Sequence, residues 1–250
     1  MLSKAKIKLI KSLEMKKFRQ SEGLFVAEGP KVVGNLLPHF HCRLLVATDK
    51  WLFDNPKPKA DEIIVATDEE LQKASFLKSP QRVLALFETP APSTIETADS
   101  SLVLALDDIQ DPGNLGTIIR IADWFGVRQI VCSQGTVDAF SPKVVQATMG
   151  AIARVGIHYT KLDSWIESLA KTIPVYGTFL NGKNIYDEPL SENGVIVMGN
   201  EGKGISPAVE KYISSRLFIP NYPKGVETSE SLNVAVATAI TCAEFRRRIK

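Results

Sequence analysis

The chain contains little of what metal centres and disulfide frameworks require. It has three cysteines and three histidines among 250 residues. The cysteines, Cys42, Cys132 and Cys242, are isolated and lack CxxC spacing, so they indicate neither a disulfide framework nor a zinc site. Three histidines also supply a metal centre poorly. We therefore expect a metal-free protein of the cytoplasm.

Long apolar runs are also missing. No run approaches the ~20 residues that a helix needs to span a bilayer. The first residues are rich in lysine, unlike a signal peptide, so we expect no membrane association. Hydrophobic residues nevertheless make up 44% of the chain, which favours packed cores over disorder. A chain of 250 residues can form one large domain or two of ordinary size.

Positive charge is concentrated at the amino terminus. The net charge of the whole chain is +2, yet residues 1–19 hold seven basic residues and one acidic residue, Glu14. Ile7, Ile10 and Leu13 are spaced to share one face of a short helix whose other faces are basic. This segment is either a solvated helix or an arm that contacts the phosphates of a nucleic acid. Its basic residues are Lys4, Lys6, Lys8, Lys11, Lys16, Lys17 and Arg19.

A segment rich in proline, serine and threonine, residues 89–101, divides the chain. Such a composition is typical of a linker, so we predict a first domain at 1–92, a linker at 93–101 and a second domain at 102–250. In the first domain, Thr67 and Glu70 form a capping box that predicts a helix start. Short apolar runs alternate with helical segments there and predict a small α/β domain with strands at 25–27, 44–47, 63–66 and 83–87.

The second domain has a more regular pattern. Continuous apolar strands alternate with helices, which predicts a parallel sheet covered on both faces. The predicted strands are 102–106, 129–131, 155–158, 175–178, 195–198 and 217–219. The predicted helices are 115–125, 142–150, 163–172, 206–213 and one from 232 onward. Ligands of open α/β sheets lie beyond the carboxyl ends of the strands, so the residues that follow strands are the first candidates for a site.

The first strand of this domain leads into Asp111-Pro112-Gly113-Asn114, which predicts a turn with Asn114 capping the next helix. Arg120 lies six residues further, among apolar residues, so we expect it close to the buried face of that helix. An arginine at this position either pairs with Asp107 or Asp123, or offers its planar guanidinium to a phosphate or carboxylate.

Two later strands end in comparable loops. Met198 is followed by three glycines in six residues, which let the backbone approach a ligand closely, and by Glu201, whose carboxylate needs a partner or a function. The spacing fits neither a Walker A loop nor a GxGxxG fingerprint. After Ile219-Pro220, a polar loop leads to a helix whose first turn carries Ser231 and Asn233, residue types that cap helices.

Together the three segments resemble the motifs of one family, the SpoU (TrmH-like) RNA ribose 2′-O-methyltransferases of the SPOUT superfamily. Their order and separation also agree, and the resemblance extends over about residues 100–250. Residues 24–31 resemble, more weakly, the start of that family's amino-terminal, L30e-like RNA-binding domain. The matching residues are Asp111, Pro112, Asn114 and Arg120 in the first motif, 198–202 in the second, and Ile219, Pro220 and 231–234 in the third.

The resemblance implies a small α/β RNA-binding domain followed by a parallel-sheet α/β domain with a trefoil knot. It implies a homodimer with the active site near the subunit boundary, and S-adenosylmethionine as the cofactor. The implied substrate is RNA, with 23S rRNA preferred and tRNA as the alternative, because a separate amino-terminal domain is commoner among rRNA-directed members. The seven basic residues above become the implied RNA-binding residues. The implied cofactor-binding residues are Thr178, Met198, Gly199, Asn200, Gly204, Ile219, Pro220 and Leu232.

The implied reaction transfers a methyl group from a sulfonium to a ribose 2′-hydroxyl, without a metal. It requires the alignment of two reacting atoms and the removal of a proton from a weak acid. Arg120 is the implied essential residue, although a guanidinium stays protonated and is a poor general base. It acts either through the substrate phosphate, which takes up the proton, or only by orienting phosphate and hydroxyl. Asn114, Glu201 and Asn233 are implied to position Arg120 and the ribose, and Ser231 to shape the third loop.

Two other functions agree with parts of the sequence. A non-catalytic RNA-binding protein of the same fold would have no chemical reason to hold Asn114, Arg120, Glu201 and Asn233 together. A nucleotide-binding Rossmann enzyme is favoured only by the α/β pattern, and the first strand of the second domain is not followed by its glycine fingerprint. We therefore predict an RNA 2′-O-ribose methyltransferase.

Overall fold

A computed structural model describes residues 1–91, 94–95, 98–169, 171–223, 226 and 229–248. It contains two compact units. The first unit comprises Met1–Ala91 with Asp138–Ala153, and the second comprises Pro92–Val137 with Arg154–Lys250. The predicted linker at 93–101 lies partly outside the described residues. The sequence-based division also differs in residues 138–153, which it assigned to the second domain.

The ten predicted strands are all present, and most of their ends lie within two residues of the prediction. The helices are α1 (Lys4–Ser12), α2 (Lys16–Glu22), α3 (Pro30–Leu36), α4 (Asp49–Asp54), α5 (Asp68–Ala74), α6 (Pro112–Trp124), α7 (Pro142–Thr148), α8 (Leu162–Glu167), α9 (Pro207–Glu210) and α10 (Val234–Arg247). The strands are β1 (Leu24–Glu28), β2 (Cys42–Ala47), β3 (Glu62–Val65), β4 (Val83–Glu88), β5 (Leu102–Leu106), β6 (Gln129–Ser133), β7 (Gly156–Thr160), β8 (Val175–Asn184), β9 (Gly194–Met198) and β10 (Ser215–Phe218).

The first unit is built on a four-stranded sheet of order β1-β4-β2-β3. β4 pairs antiparallel with β1 and β2, whereas β3 pairs parallel with β2. The predicted capping box is present, because Thr67 accepts a hydrogen bond from the Glu70 backbone and Glu70 accepts one from the Thr67 backbone. α1 buries Ile10, the adjoining Leu13 is also fully buried, and Ile7 packs against the same core, as their spacing predicts.

Residues 138–153 join the first unit through side-chain contacts that are remote in sequence. The ring of Phe140 lies 5.0 Å from that of Phe25, and the Asn35 amide donates a hydrogen bond to the Met149 carbonyl at 3.0 Å. α7 also buries Val144 and Val145. The sequence-based division missed this grouping because a seven-residue helical pattern does not say which sheet the helix covers.

The second unit contains a six-stranded sheet of order β10-β8-β9-β5-β6-β7, and every pairing in it is parallel. β5 and β9 lie in the middle and are buried along their whole length, which explains their continuous apolar sequences. β8 is longer than predicted, because residues 178–182 bulge between its two stretches of pairing with β10. In the part of the chain described, no helix is long and apolar enough to cross a membrane.

Candidate active site

The loops of the first two motifs begin side by side at the carboxyl edge of the sheet. Leu106, the last residue of β5, pairs with Met198, the last residue of β9. Asp107 continues this pairing with its backbone N–H, which donates to the Met198 carbonyl at 2.9 Å. The buried Asp107 carboxylate then accepts a hydrogen bond from the Ser206 N–H at 2.8 Å. Asp107 therefore holds the segment 199–205 at both of its ends.

The glycine-rich loop has a fixed shape that its own residues impose. Asn200 and Gly204 exchange two backbone hydrogen bonds at 3.0 and 2.9 Å. The Asn200 side chain accepts from the N–H groups of Gly202 and Lys203 and donates to the Asp108 carbonyl at 2.7 Å. A Cβ on Gly199 would lie 2.3 Å from the Gly204 carbonyl carbon, so this position requires glycine.

The Glu201 carboxylate is hydrogen-bonded to the start of α6 and to the loop before it. It accepts hydrogen bonds from the Asn114 side-chain amide at 3.0 Å and from the N–H groups of Asp111 and Gln110 at 3.3 and 3.4 Å. Partial burial acts to raise the pKa of this carboxyl, but the hydrogen bonds from Asn114 and the backbone outweigh it and hold the pKa below its usual range. Glu201 is therefore an ionised acceptor that fixes the turn before α6.

Asn114 connects the second motif to the third. Its side-chain oxygen accepts a hydrogen bond from the Asn233 amide at 2.9 Å, while its own amide donates to Glu201. The Asn233 oxygen caps α10 by accepting from the N–H groups of Ala235 and Val236. An amide chain thus links Glu201, in the loop after β9, to Asn114 in the first turn of α6 and Asn233 at the cap of α10.

Two predictions about helix caps are wrong. Asn114 does not cap α6, because Asp111 occupies the cap position and accepts from the Asn114 N–H at 2.8 Å. Asn233 caps the last helix as predicted, but Ser231 is not in the first turn, because the helix begins at Val234. Ser231 is exposed, and it has no hydrogen-bond partner among the described residues. Proline directly after Asp111 was the signal that could have placed the α6 cap correctly.

Arg120 is exposed rather than close to the buried face, so that prediction is also wrong. Its neighbours Ile118 and Ile119 occupy the buried side of α6. The two carboxylates considered as partners are engaged elsewhere, since Asp107 accepts from Ser206 and Asp123 is paired with Arg154. Within the described parts of the chain, Arg120 makes no hydrogen bond or ion pair. Its guanidinium is therefore available to an external group.

The predicted cofactor-binding residues lie within or after strands β8, β9 and β10. Thr178 is half-buried, and its hydroxyl donates to the Val197 carbonyl at 3.5 Å and lies 3.7 Å from the Met198 sulfur. Ile219 and Pro220 directly follow β10 and are half-buried, and Leu232 is 48% exposed beside Asn233. Partly exposed apolar side chains such as these suit an adenine ring, so this set fits S-adenosylmethionine.

The basic residues near the amino terminus differ in their contacts and in their exposure. Arg19 cannot contact RNA, because it is only 5% exposed, its Nε donates to Asp138 at 3.0 Å, and its Nη1 donates to two backbone carbonyls. Lys6 is paired with Glu62, and Lys11 donates to the Ser75 carbonyl. The remaining lysines are exposed; they are Lys4, Lys8, Lys16 and Lys17.

Comparison with protein families identifies the chain. Residues 101–243 match the model of the SpoU rRNA methylase family, and residues 4–85 match the MRM3-like substrate binding domain. The chain belongs to the SpoU rRNA methylase family. The predicted family is thereby confirmed.

Several SpoU-family relatives are similar over most of the chain. A Bacillus subtilis protein named 23S rRNA (guanosine(2553)-2′-O)-methyltransferase RlmP is 32% identical over 245 residues, 96% of each chain. A putative RNA methyltransferase of the TrmH family from Porphyromonas gingivalis superposes with a TM-score of 0.89 at 44% identity and full coverage of both chains. An AdoMet-bound rRNA methyltransferase from Sinorhizobium meliloti superposes with a TM-score of 0.86 at 29% identity, over 100% of this chain and 97% of that one.

Proposed function

We propose that this protein is an S-adenosylmethionine-dependent RNA methyltransferase that acts on a ribose 2′-hydroxyl, in 23S rRNA. One observation carries the proposal: the Glu201–Asn114–Asn233 chain fixes the start of α6, and the same helix presents Arg120 without a partner in the described residues. The RlmP relative, similar over 96% of the chain, supports 23S rRNA as the substrate class.

The cofactor would be held by the loop of residues 199–204 and by apolar surfaces at Ile219, Pro220 and Leu232. When bound, S-adenosylmethionine supplies an electrophilic methyl group on a sulfonium sulfur. The Thr178 hydroxyl lies 3.7 Å from the sulfur of Met198, the residue directly before this loop. The loop itself requires glycine at position 199, because any side chain there would collide with the Gly204 backbone.

Arg120 would bind the RNA phosphate next to the target ribose. A guanidinium remains protonated at neutral pH and offers a planar pair of donors to phosphate oxygens. The 2′-oxygen would form its bond to the methyl carbon as the carbon–sulfur bond breaks and S-adenosylhomocysteine leaves. The hydroxyl proton would pass to a phosphate oxygen held by Arg120, or to solvent. Asn114 and Asn233 would fix the helix that carries Arg120 and so align the hydroxyl.

Two finer features belong to the same proposal. We infer a homodimer in which a second copy covers the outer face of α6 and α10, where Trp124 is 85% exposed and Val236 48% exposed. Arg120 lies on the same outer face of α6 as Trp124, so this partner would complete the active site. The exposed lysines Lys4 and Lys8 would contact RNA phosphates. A cytoplasmic location and a metal-free reaction stay predictions.

The deciding experiment compares Arg120→Ala with Arg128→Ala. Arg128 is also exposed, but it precedes β6 and therefore lies at the opposite edge of the sheet. We expect Arg120→Ala to lose methyl transfer to 23S rRNA while its calorimetric affinity for S-adenosylmethionine stays at the wild-type value, and Arg128→Ala to keep both. Near-normal transfer by Arg120→Ala would overturn its assigned role.

A second measurement separates catalysis from simple RNA binding. Mapping 2′-O-methyl positions in total RNA with and without the protein should reveal one position in 23S rRNA that is methylated only when the protein is present. If no position changes while the protein still binds RNA, the non-catalytic alternative is correct. A protein-dependent position in tRNA would retain the reaction and correct the substrate.

A further inference from the structure

The carboxyl end of α10 carries an arginine that bonds both to its own helix and to a remote turn. Arg248 donates from Nε to the Glu244 carboxylate at 2.8 Å and from Nη2 to the carbonyls of Ile185 and Tyr186 at 3.1 and 2.7 Å. Its Nη1 donates to the Glu188 carbonyl. One guanidinium therefore holds three carbonyls of the turn at 185–188, which follows β8.

Glu244 orients this guanidinium from a buried position. Only 4% of its side chain is exposed, and it accepts hydrogen bonds from both Arg247 and Arg248. A buried carboxylate requires such partners. The fixed fork of five N–H donors is specific to arginine, and a lysine ammonium cannot reach a carboxylate and three carbonyls from one position.

A short path of hydrogen bonds leads from this turn to the third motif. Ile185 is fully buried, and its N–H donates to the Phe218 carbonyl at 2.9 Å. Phe218 directly precedes Ile219 and Pro220, the apolar wall assigned to the cofactor. Arg248 is thus two hydrogen bonds away from that wall. At about 1.5 Å per residue, it is on the order of 20 Å from Asn233 at the other end of α10.

We propose that Arg248 is a positioning residue for the S-adenosylmethionine pocket: it fixes the turn at 185–188 and, through Ile185, the backbone that carries Ile219 and Pro220. The proposal rests on the proposed function, because it takes these two residues as the cofactor wall. Arg248 touches no reacting atom. Its removal therefore loosens cofactor binding and leaves the chemical step at saturating cofactor unchanged.

The test compares Arg248→Ala with Arg247→Ala and Arg248→Lys. Arg247 donates to the same Glu244 but to no carbonyl of the turn, so it is the matched control. We expect Arg248→Ala to raise the KM and calorimetric Kd for S-adenosylmethionine about tenfold, the loss of about one net hydrogen bond to a charged group. Its kcat should stay within about twofold. Arg247→Ala should match the wild type, and Arg248→Lys should resemble alanine.

Hydrogen exchange without cofactor supplies an independent readout. Peptides covering 183–190 and 215–223 should exchange faster in Arg248→Ala than in Arg247→Ala, because the turn that carries the Ile185 N–H is no longer fixed. Equal exchange in the two variants, or a lowered kcat at unchanged cofactor affinity, would overturn the proposal. If Arg248→Ala does not fold, Arg248→Lys takes its place. A wild-type protein that fails to bind S-adenosylmethionine contradicts the proposed function instead, and faster exchange would still show that Arg248 holds the turn.

Discussion

The side-chain amide of Asn233 lies 2.9 Å from the side-chain oxygen of Asn114, across 119 residues of sequence. This bond joins the amino ends of α10 and α6. Their carboxyl ends are joined by Arg246, whose guanidinium donates to the Phe125 and Gly126 carbonyls at 2.7 and 3.2 Å. The two helices therefore run side by side in the same direction, with the proposed active site at their amino ends.

In the Glu201–Asn114–Asn233 chain, the Asn114 side chain donates to Glu201 and accepts from Asn233. These directions can be tested by replacing the Asn114 amide nitrogen with oxygen. Asn114→Asp replaces the amide that faces Glu201 with a second carboxylate at about 3 Å, where two like charges repel. We expect methyl transfer to fall about a hundredfold, or about 2.7 kcal/mol of barrier. In the double variant Asn114→Asp with Glu201→Gln, the glutamine amide can donate to Asp, and activity should recover at least partly.

The control for this cycle is Asn114→Ala with Glu201→Gln, in which nothing accepts the glutamine amide. Single-turnover rates on 23S rRNA at saturating cofactor measure all the variants. If the alanine and aspartate double variants have equal rates, the chain orients nothing that matters for the reaction.

The tight loop after β9 predicts a large difference between two neighbouring glycines. Gly199→Ala places a Cβ 2.3 Å from backbone atoms of Gly204 and Ile205, so the loop must move. We expect a loss of about 1–3 kcal/mol in the free energy of unfolding, together with weaker cofactor binding. Gly202→Ala meets only the Asn200 side chain at 3.7 Å and should be close to neutral. Urea denaturation of both variants checks this; equal losses would contradict the loop geometry.

The buried Glu28 predicts a pH effect on stability. Burial raises the pKa of this carboxyl above its usual range, although Ser75 and the Phe76 N–H donate hydrogen bonds to it. The folded state therefore binds the proton more tightly than the unfolded state, and the stability that Glu28 contributes at low pH is lost as the pH rises through the folded pKa. Glu28→Gln should gain in free energy of unfolding, relative to wild type, as the pH rises from the acid range towards neutrality.

Glu70, which lies in the same unit, predicts the opposite change of stability with pH. Backbone hydrogen bonds from Thr67 and Leu2 lower the pKa of this carboxyl, so its contribution is present at neutral pH and lost as the pH falls through the folded pKa. Glu70→Gln should therefore lose stability relative to wild type as the pH rises. Urea denaturation at several pH values measures both differences from wild type. If the Glu28→Gln difference falls with pH, as the Glu70→Gln difference should, the pKa of Glu28 is not raised as described.

The exposed lysines of the first unit predict the salt dependence of RNA binding. Neutralising Lys4 and Lys8 together should weaken binding and reduce the slope of log K against log salt by about 0.7–0.9 for each phosphate that they neutralise. Lys6→Ala is the matched control, because Lys6 is already paired with Glu62. Filter binding between about 50 and 200 mM salt, where such electrostatic affinity changes steeply, measures the slope. An unchanged slope would remove α1 from the RNA-binding surface.

Local sequence patterns predicted much of the fold and the proximity of three candidate site residues. The Thr67–Glu70 capping box begins a helix as expected, because all its hydrogen bonds lie within four residues. The continuous apolar runs of β5 and β9 predicted a parallel sheet, and the carboxyl ends of such strands necessarily meet at one edge. That rule is why Asn114, Glu201 and Asn233 could be grouped before any coordinates were known.

The sequence by itself therefore determined the strands, the sheet type and the family. Only the tertiary structure decided which groups face one another: that Arg19 is buried against Asp138, that Arg120 is exposed, that residues 138–153 join the first unit, and that Arg248 holds the turn after β8. The physical reason is range. Helix and strand patterns depend on neighbours a few residues apart. The charge pair, amide bond and arginine contacts named here join residues about 60 to 120 positions apart, about which a local pattern carries no information.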